Sequence, residues 1–258
     1  MSFQQVLPGQ THFIGLENYA KLPNDPTFYK SVKVTVTYTV WTIAILIPVP
    51  LIFAVFLNSK LTRFRHFFRA TAFIPALTSV IVAGVIFRLM FGETEQSIAN
   101  QIVTALGFDT VRWAFGAKTG MFLMVFLACW RWMGVNILYF LAGLQNIPDV
   151  LYEAADIDGA GPFKKFYYIT LPFLKPVTIY VTTISIFAGF RMFEESYVYW
   201  ETGSPGNIGL TVVQYIYKQG FQSNNMGYGS VIGIVLLLVI LVVTLIYLTL
   251  SGAFKKED

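Results

Sequence analysis

The chain has 258 residues, of which 55% are apolar and only 12% charged, with a net charge of +4, whereas a soluble domain carries about 25% charged residues. With a mean hydropathy of +0.61, a soluble fold of this length would expose too much apolar surface, and a bilayer is the natural solvent. No basic stripe offers itself to nucleic acid, a single cysteine (Cys129) excludes a disulfide framework or cysteine metal site, and His12 and His66 are too far apart to form a cluster.

The opening MSFQQVLPGQTHFIGLENY has neither the basic start nor the apolar run of a signal peptide. A spanning helix needs about 20 mostly apolar residues. Val34–Leu57, Ala70–Phe91, Gly120–Leu144, Pro176–Tyr199 and Ser230–Leu250 meet this condition. Pro48 and Pro50 fall inside the first span and Pro75 inside the second, positions that membrane helices tolerate when neighbours satisfy the freed carbonyls. The loop NSKLTRFRHFFR carries Lys60, Arg63, Arg65 and Arg69 and no acid, so it belongs inside by the positive-inside rule. The loop GETEQSIANQIVTALGFDTVRWAFGAK then lies outside, and the segment 145–175 and the tail 251–258 lie inside. Residues 1–33 become an extracytoplasmic lead-in. Nothing in them carries the N-terminus across, so a preceding, sixth span missing from this chain is expected; the alternative is a five-span protein whose short N-terminal segment translocates unaided. The fold class is therefore all-α and polytopic, with a membrane domain over 34–250.

The segment YEAADIDGAGPFKKFYYITLP, Tyr152 to Pro172, is too polar for its apolar surroundings. Asn146 can cap a helix with Pro148 in its first turn, and Asp149 and Glu153 sit at its positive end. Asp158-Gly159 signals a turn, with Gly159 suited to a left-handed C-cap. Pro162 opens a second short helix, with Phe163, Phe166, Tyr167 and Thr170 at helical spacing, which Leu171-Pro172 closes. Two short cytoplasmic helices joined at a glycine elbow follow. Ala154 and Ala155 allow close approach of a partner, Glu153 supplies a polar anchor, and the aromatic row can pack under the spans. The segment reads either as a docking element or as an amphipathic connector on the bilayer surface.

Glu153-Ala154-Ala155, then Gly159, then Ile169-Thr170-Leu171-Pro172 resembles the EAA signature of membrane subunits in binding-protein-dependent ABC importers. FIGLENYAKL, DPTFYKSVKVT, FFRATAFIPALTSVIVAGVIFRLMF and WRWMGVNILYFLAGLQNIPDVLYEAADIDGA resemble the maltose-permease-like class of sugar importers, so the likeness covers nearly the whole chain. It implies that 145–175 is a coupling loop seated on a cytoplasmic ATPase through Glu153, Ala154, Ala155, Asp158, Gly159, Ile169, Leu171 and Pro172. It also implies a second homologous permease, two copies of an ABC ATPase, an extracellular sugar-binding protein and a place in the cell membrane. ATP and magnesium would then belong to the ATPase, and no cofactor to this chain.

Charges in spans cost about 2.5–3.5 kcal/mol each at the centre. Arg88 is near a span end and can snorkel. Arg131 lies midway along the third span, with Asn136 and Tyr139 close on a helical projection. Arg191 shares the fourth span with Glu194 and Glu195 at spacings that allow pairing within one helix. Trp130, Trp132, Tyr139, Tyr197 and Trp200 offer faces for a sugar ring; Arg131, Asn136, Arg191, Glu194 and Glu195 offer hydrogen bonds. Trp130, Arg131, Asn136, Tyr139, Arg191, Glu194, Glu195 and Tyr197 form the candidate substrate path. The alternative is that these groups bind one another or the sister subunit and fix helix packing.

No phosphate loop of the form G-x-x-x-x-G-K-[ST] is present, so the chain is not expected to hydrolyse ATP. An ion-coupled secondary transporter would show inverted repeats, and an intramembrane hydrolase a nucleophile and base or a metal motif; neither pattern is evident. A permease for another solute class stays open, opposed only by the sugar-class likeness.

Overall fold

The computed structural model describes residues 1–7, 10–58, 65–201 and 203–254. Lys60 and Arg63 of the basic loop, and Lys255, Lys256, Glu257 and Asp258 of the tail, lie outside the described residues. The described chain is overwhelmingly helical, as expected, with one small addition. Strands β1 (Gln4–Leu7) and β2 (Gln10–Phe13) pair antiparallel, Gln4 opposite Phe13, and helices α1 (Glu17–Lys21) and α6 (Ile98–Ala105) are short.

Among the described residues, three helices are long and apolar enough to cross a membrane: Pro26–Asn58, Ala117–Gln145 and Met226–Ser251. They contain α2 (Pro26–Leu46) with α3 (Pro48–Asn58), α7 (Ala117–Gln145) and α14 (Met226–Ser251). Two further spans are bent pairs, which gives up to 5 crossings among the described residues. The predicted span Ala70–Phe91 is two helices, α4 (Arg65–Leu77) and α5 (Val80–Met90), bent by 96°. The reason is local: Thr78 N–H turns back to the Pro75 carbonyl (3.1 Å), and Ser79 is extended (φ −55°, ψ 135°). The predicted span Pro176–Tyr199 also differs. Its helix α11 (Lys175–Phe190) stops at Phe190, and α12 (Glu194–Tyr199) starts afresh after three non-helical residues. The Met192 carbonyl, freed by this break, accepts the Thr211 hydroxyl at 2.9 Å.

The Cα positions group into two bodies. The first comprises Met1–Thr42, Ser79–Ala128 and Ile186–Thr244. It contains the described segments that loop charge assigns to the outside. Its core gathers Phe28, Leu210, Val212, Tyr215, Tyr228 and Ile232. Asp25 caps α2: its Oδ1 accepts the backbone N–H groups of Thr27 (2.9 Å) and Phe28 (3.1 Å). Its Oδ2 accepts the hydroxyls of Tyr215 and Tyr228, both at 2.5 Å, which ties α2 to α13 (Val212–Tyr217) and α14. Burial pushes this carboxyl upward, but the bonds from Tyr215, Tyr228, Phe28 and Thr27 together hold it below the usual aspartate value.

The second body comprises Ile43–Thr78, Cys129–Ser185 and Leu245–Asp258. Its core includes Leu51, Ala54, Ile137, Phe140, Leu144, Leu174 and Val181. Gly134 of α7 meets α4 so closely that a Cβ there would stand 1.9 Å from the Ala72 carbonyl oxygen, so only glycine fits. Much of α14 is exposed apolar surface, including Leu237, Leu241, Leu245 and Ile246, as expected of a helix that faces lipid tails.

Candidate functional site

Between α7 and α11 the chain builds a hairpin. Helix α8 (Asp149–Ile157) begins after Pro148, whose φ of −62° and ψ of 130° put it at the N-cap. Asn146 therefore does not cap this helix, contrary to the sequence-based expectation; Pro148 is extended and the helix starts two residues later, at Asp149. The elbow is as expected. Gly159 has φ +70°, its N–H bonds the Asp156 carbonyl (3.1 Å), and Ala160 N–H bonds the Ala155 carbonyl (2.8 Å). This is the Schellman pattern, which uses the orphan carbonyls of the helix end. Gly161 then caps α9 (Pro162–Lys165), a π turn follows over Phe166–Thr170, and α10 (Leu171–Phe173) carries the helix past Leu171-Pro172 to Phe173. The bend to α11 is 64°.

The hairpin is tied to itself. The Lys165 ammonium pairs with Asp156 across the elbow, and the Tyr152 and Thr170 hydroxyls meet at 2.9 Å. It is seated on the core of the second body through Leu151, Tyr152, Phe166 and Ile169. The aromatic row splits. Phe166 packs and Thr170 is buried, whereas Phe163 (79% exposed) and Tyr167 face outward. The π turn widens the helical repeat at this point, so the stripe that a 3.6-residue period predicts does not stay on one face. Glu153, Ala154, Asp158, Gly159, Leu171 and Pro172 are exposed; Ala155 and Ile169 are half-buried. Ile157 (88% exposed), Phe163 and Tyr168 (72%) form an outward apolar set beside them. Ile157 and Tyr168 carried no functional signal in the sequence, because an apolar residue in a membrane protein reads as core until its face is known.

Of the polar path residues, Trp130, Arg131, Asn136 and Tyr139 fall in the second body and Arg191, Glu194, Glu195 and Tyr197 in the first. Arg131 is buried, with its guanidinium 5.5 Å from the Trp132 ring centroid. Asn136 Nδ2 donates to the Leu46 carbonyl at 2.8 Å. That carbonyl is the one left free because Pro50 has no N–H to offer it. Tyr139 meets Tyr180 edge-on at 5.5 Å. Arg191 lies over the Phe187 ring at 4.9 Å. Its expected pairing with Glu194 or Glu195 along one helix does not hold, since the helix is interrupted between them. Glu195 is buried, Glu194 is exposed, and Tyr197 stacks on Phe193 (5.1 Å) and donates to Glu201 (3.2 Å).

The model of the family described as binding-protein-dependent transport system inner membrane component matches residues 26–256. The Arabinooligosaccharides transport system permease protein AraP of Bacillus subtilis (strain 168) is 66% identical over 257 residues, covering 100% of this chain and 82% of that protein. The protein of the same name in Halalkalibacterium halodurans is 60% identical over 258 residues, covering 100% of this chain and 81% of that protein. Among solved structures, a bacterial ABC transporter involved in the import of the acidic polysaccharide alginate superposes with a TM-score of 0.86 at 21% identity, covering 95% of this chain and 85% of that one. The likeness drawn from the EAA loop thus extends to permeases of arabinose-oligomer importers and to the fold of a solved importer. The chain belongs to the binding-protein-dependent transport system inner membrane component family.

Proposed function

We propose that the chain is one permease subunit of an ATP-driven importer for arabinose-containing oligosaccharides in the cell membrane. Two thirds identity to an arabinooligosaccharide permease across the whole chain carries this reading. A second homologous permease completes the path, an extracellular binding protein delivers the sugar, and two copies of an ABC ATPase hold ATP and magnesium. The chain itself performs no chemistry. The hairpin 149–173 docks in the ATPase, with Glu153 as polar anchor and Ile157, Phe163 and Tyr168 as apolar contacts. Because the hairpin is braced on the second body's core, motion of the ATPase is passed to α7 and α11 without loss in a slack loop. Within the second body, Trp130, Arg131 and Tyr139 are this chain's contribution to the sugar path.

The test is uptake by the assembled complex in proteoliposomes. Labelled arabinotriose should accumulate only with ATP and the binding protein, and maltotriose should not compete. ATP-dependent uptake of some other solute, with none of arabinotriose, would overturn the substrate assignment.

A further inference from the structure

Helix α6 lies in the loop between α5 and α7, on the side that loop charge assigns to the outside. One face of it is fixed. Fully buried Asn100 donates to the Gly92, Thr94 and Val111 carbonyls and accepts from Val111 N–H and Trp113 Nε1. The Ser97 hydroxyl lies 2.8 and 2.9 Å from the same Gly92 and Thr94 carbonyls. A Schellman turn ends the helix: Gly107 (φ +86°) donates its N–H to the Thr104 carbonyl, and Phe108 N–H to the Val103 carbonyl. The helix is thus a built element, tied by Asn100 to the end of α5 and to the chain that leads into α7.

The opposite face is exposed. At about 3.6 residues per turn, Ile98, Ile102 and the C-cap Leu106 follow one line on the side away from Asn100. Ile102 is 58% exposed and Leu106 69%, and Ile98 and Phe108 are exposed too. Gln101 and Thr104, both exposed, form a polar strip alongside. The exposed surface is therefore divided lengthwise into an apolar and a polar half. Such a division suits a helix lying in the plane of a water–lipid boundary.

Two observations set its height. Helix α6 is in contact with α5, the second half of a bent candidate span. Along α5, Ile81, Val82, Val85, Ile86 and Leu89 are exposed, whereas Ala83, Gly84 and Phe87 are buried. This exposed apolar face reaches the last turn of α5, and exposed apolar surface resumes at Ile98. The end of α5 also carries interface markers. Exposed Arg88 stands in its last turn, where a guanidinium reaches the headgroups. Trp113, bonded to Asn100, meets Phe91 edge-on at 5.2 Å, and tryptophan is enriched at this level. The lipid-facing surface of α5 thus continues onto α6.

We propose that α6 is a membrane-surface helix, with Ile98, Ile102, Leu106 and Phe108 sunk at the headgroup boundary of the outer leaflet and Gln101 and Thr104 facing water. Its occupant is the bilayer, and neither a binding protein nor a sister permease covers it. This reading does not depend on which solute is transported. The experiment uses the complex purified in mild detergent and reconstituted in lipid nanodiscs. The permease carries Cys129→Ala and one new cysteine at a time, Ile102→Cys, Leu106→Cys, Gln101→Cys or Thr104→Cys, each labelled with a nitroxide. All four positions are exposed, so the fold is retained. Collisions with oxygen, which concentrates in lipid, are compared with collisions with a water-soluble nickel chelate. The oxygen-to-nickel ratio at Ile102→Cys and Leu106→Cys should exceed that at Gln101→Cys and Thr104→Cys several-fold. Equal ratios at all four positions overturn the proposal by placing α6 in water. Protection of Ile102→Cys and Leu106→Cys from both colliders also overturns it, by showing that a protein surface covers them.

Discussion

Asn136 shows how a polar residue in a membrane helix can serve the fold where its position suggests a substrate path. On a helical projection it lies near Arg131 and Tyr139, which points to a sugar path. In the structure its amide nitrogen serves the carbonyl that Pro50 leaves without a donor. Asn136→Ala should therefore destabilise the protein by about 1–3 kcal/mol, the cost of an orphaned buried carbonyl, visible as a lower melting temperature in detergent. An unchanged melting temperature would show that the bond contributes nothing. Asp25 gives a second case, with a pH dependence. Its carboxyl is held below the usual aspartate value of about 3.9. The folded form thus binds its proton less readily than the unfolded form. The stability it confers is complete above the ordinary aspartate range and is lost as pH falls through the depressed folded value. Asp25→Asn should flatten the acid limb of a stability–pH profile while leaving its neutral-to-basic course parallel to wild type. Neither bond was legible in the sequence, because Asp25 and Tyr215 meet only through tertiary folding.

The hairpin was the most legible part. Capping acids, Asp158-Gly159 and Pro162 foretell two short helices and an elbow, and the structure has them. Local chemistry fixes such features, so local sequence reveals them. The two broken spans were not legible. A hydropathy window sees Ala70–Phe91 as one run, since Thr78 and Ser79 interrupt it without changing its polarity. The break after Phe190 is hidden for another reason: the carbonyl it frees is satisfied by Thr211, far along the chain. Gly159→Val tests the elbow. A β-branched residue at φ +70° costs about 1–2 kcal/mol, so the hairpin should distort. ATPase association should weaken several-fold while the spans, read by proteolysis in detergent, stay intact. Full association by Gly159→Val would mean that the partner tolerates another elbow.

The whole chain has one thiol, and Cys129 is buried. After Cys129→Ala, single cysteines report the orientation that loop charge assigns. Asp109→Cys should react with a membrane-impermeant maleimide in intact cells. Phe254→Cys, at an exposed position near the tail, should react only after permeabilisation. The reverse pattern would invert the topology and move the hairpin to the wrong side for an ATPase.

The hairpin also separates shape from recognition. Tyr152, Asp156, Gly159, Lys165 and Thr170 hold its form from within. Ile157, Phe163 and Tyr168 present themselves outward, Tyr168 touching only the neighbouring Tyr167 ring edge-on. On the proposed function, the first set is a chassis and the second an exchangeable key. Changes confined to Ile157, Phe163 and Tyr168 could re-assign the permease to a different motor, or let several importers share one, with the transport channel untouched.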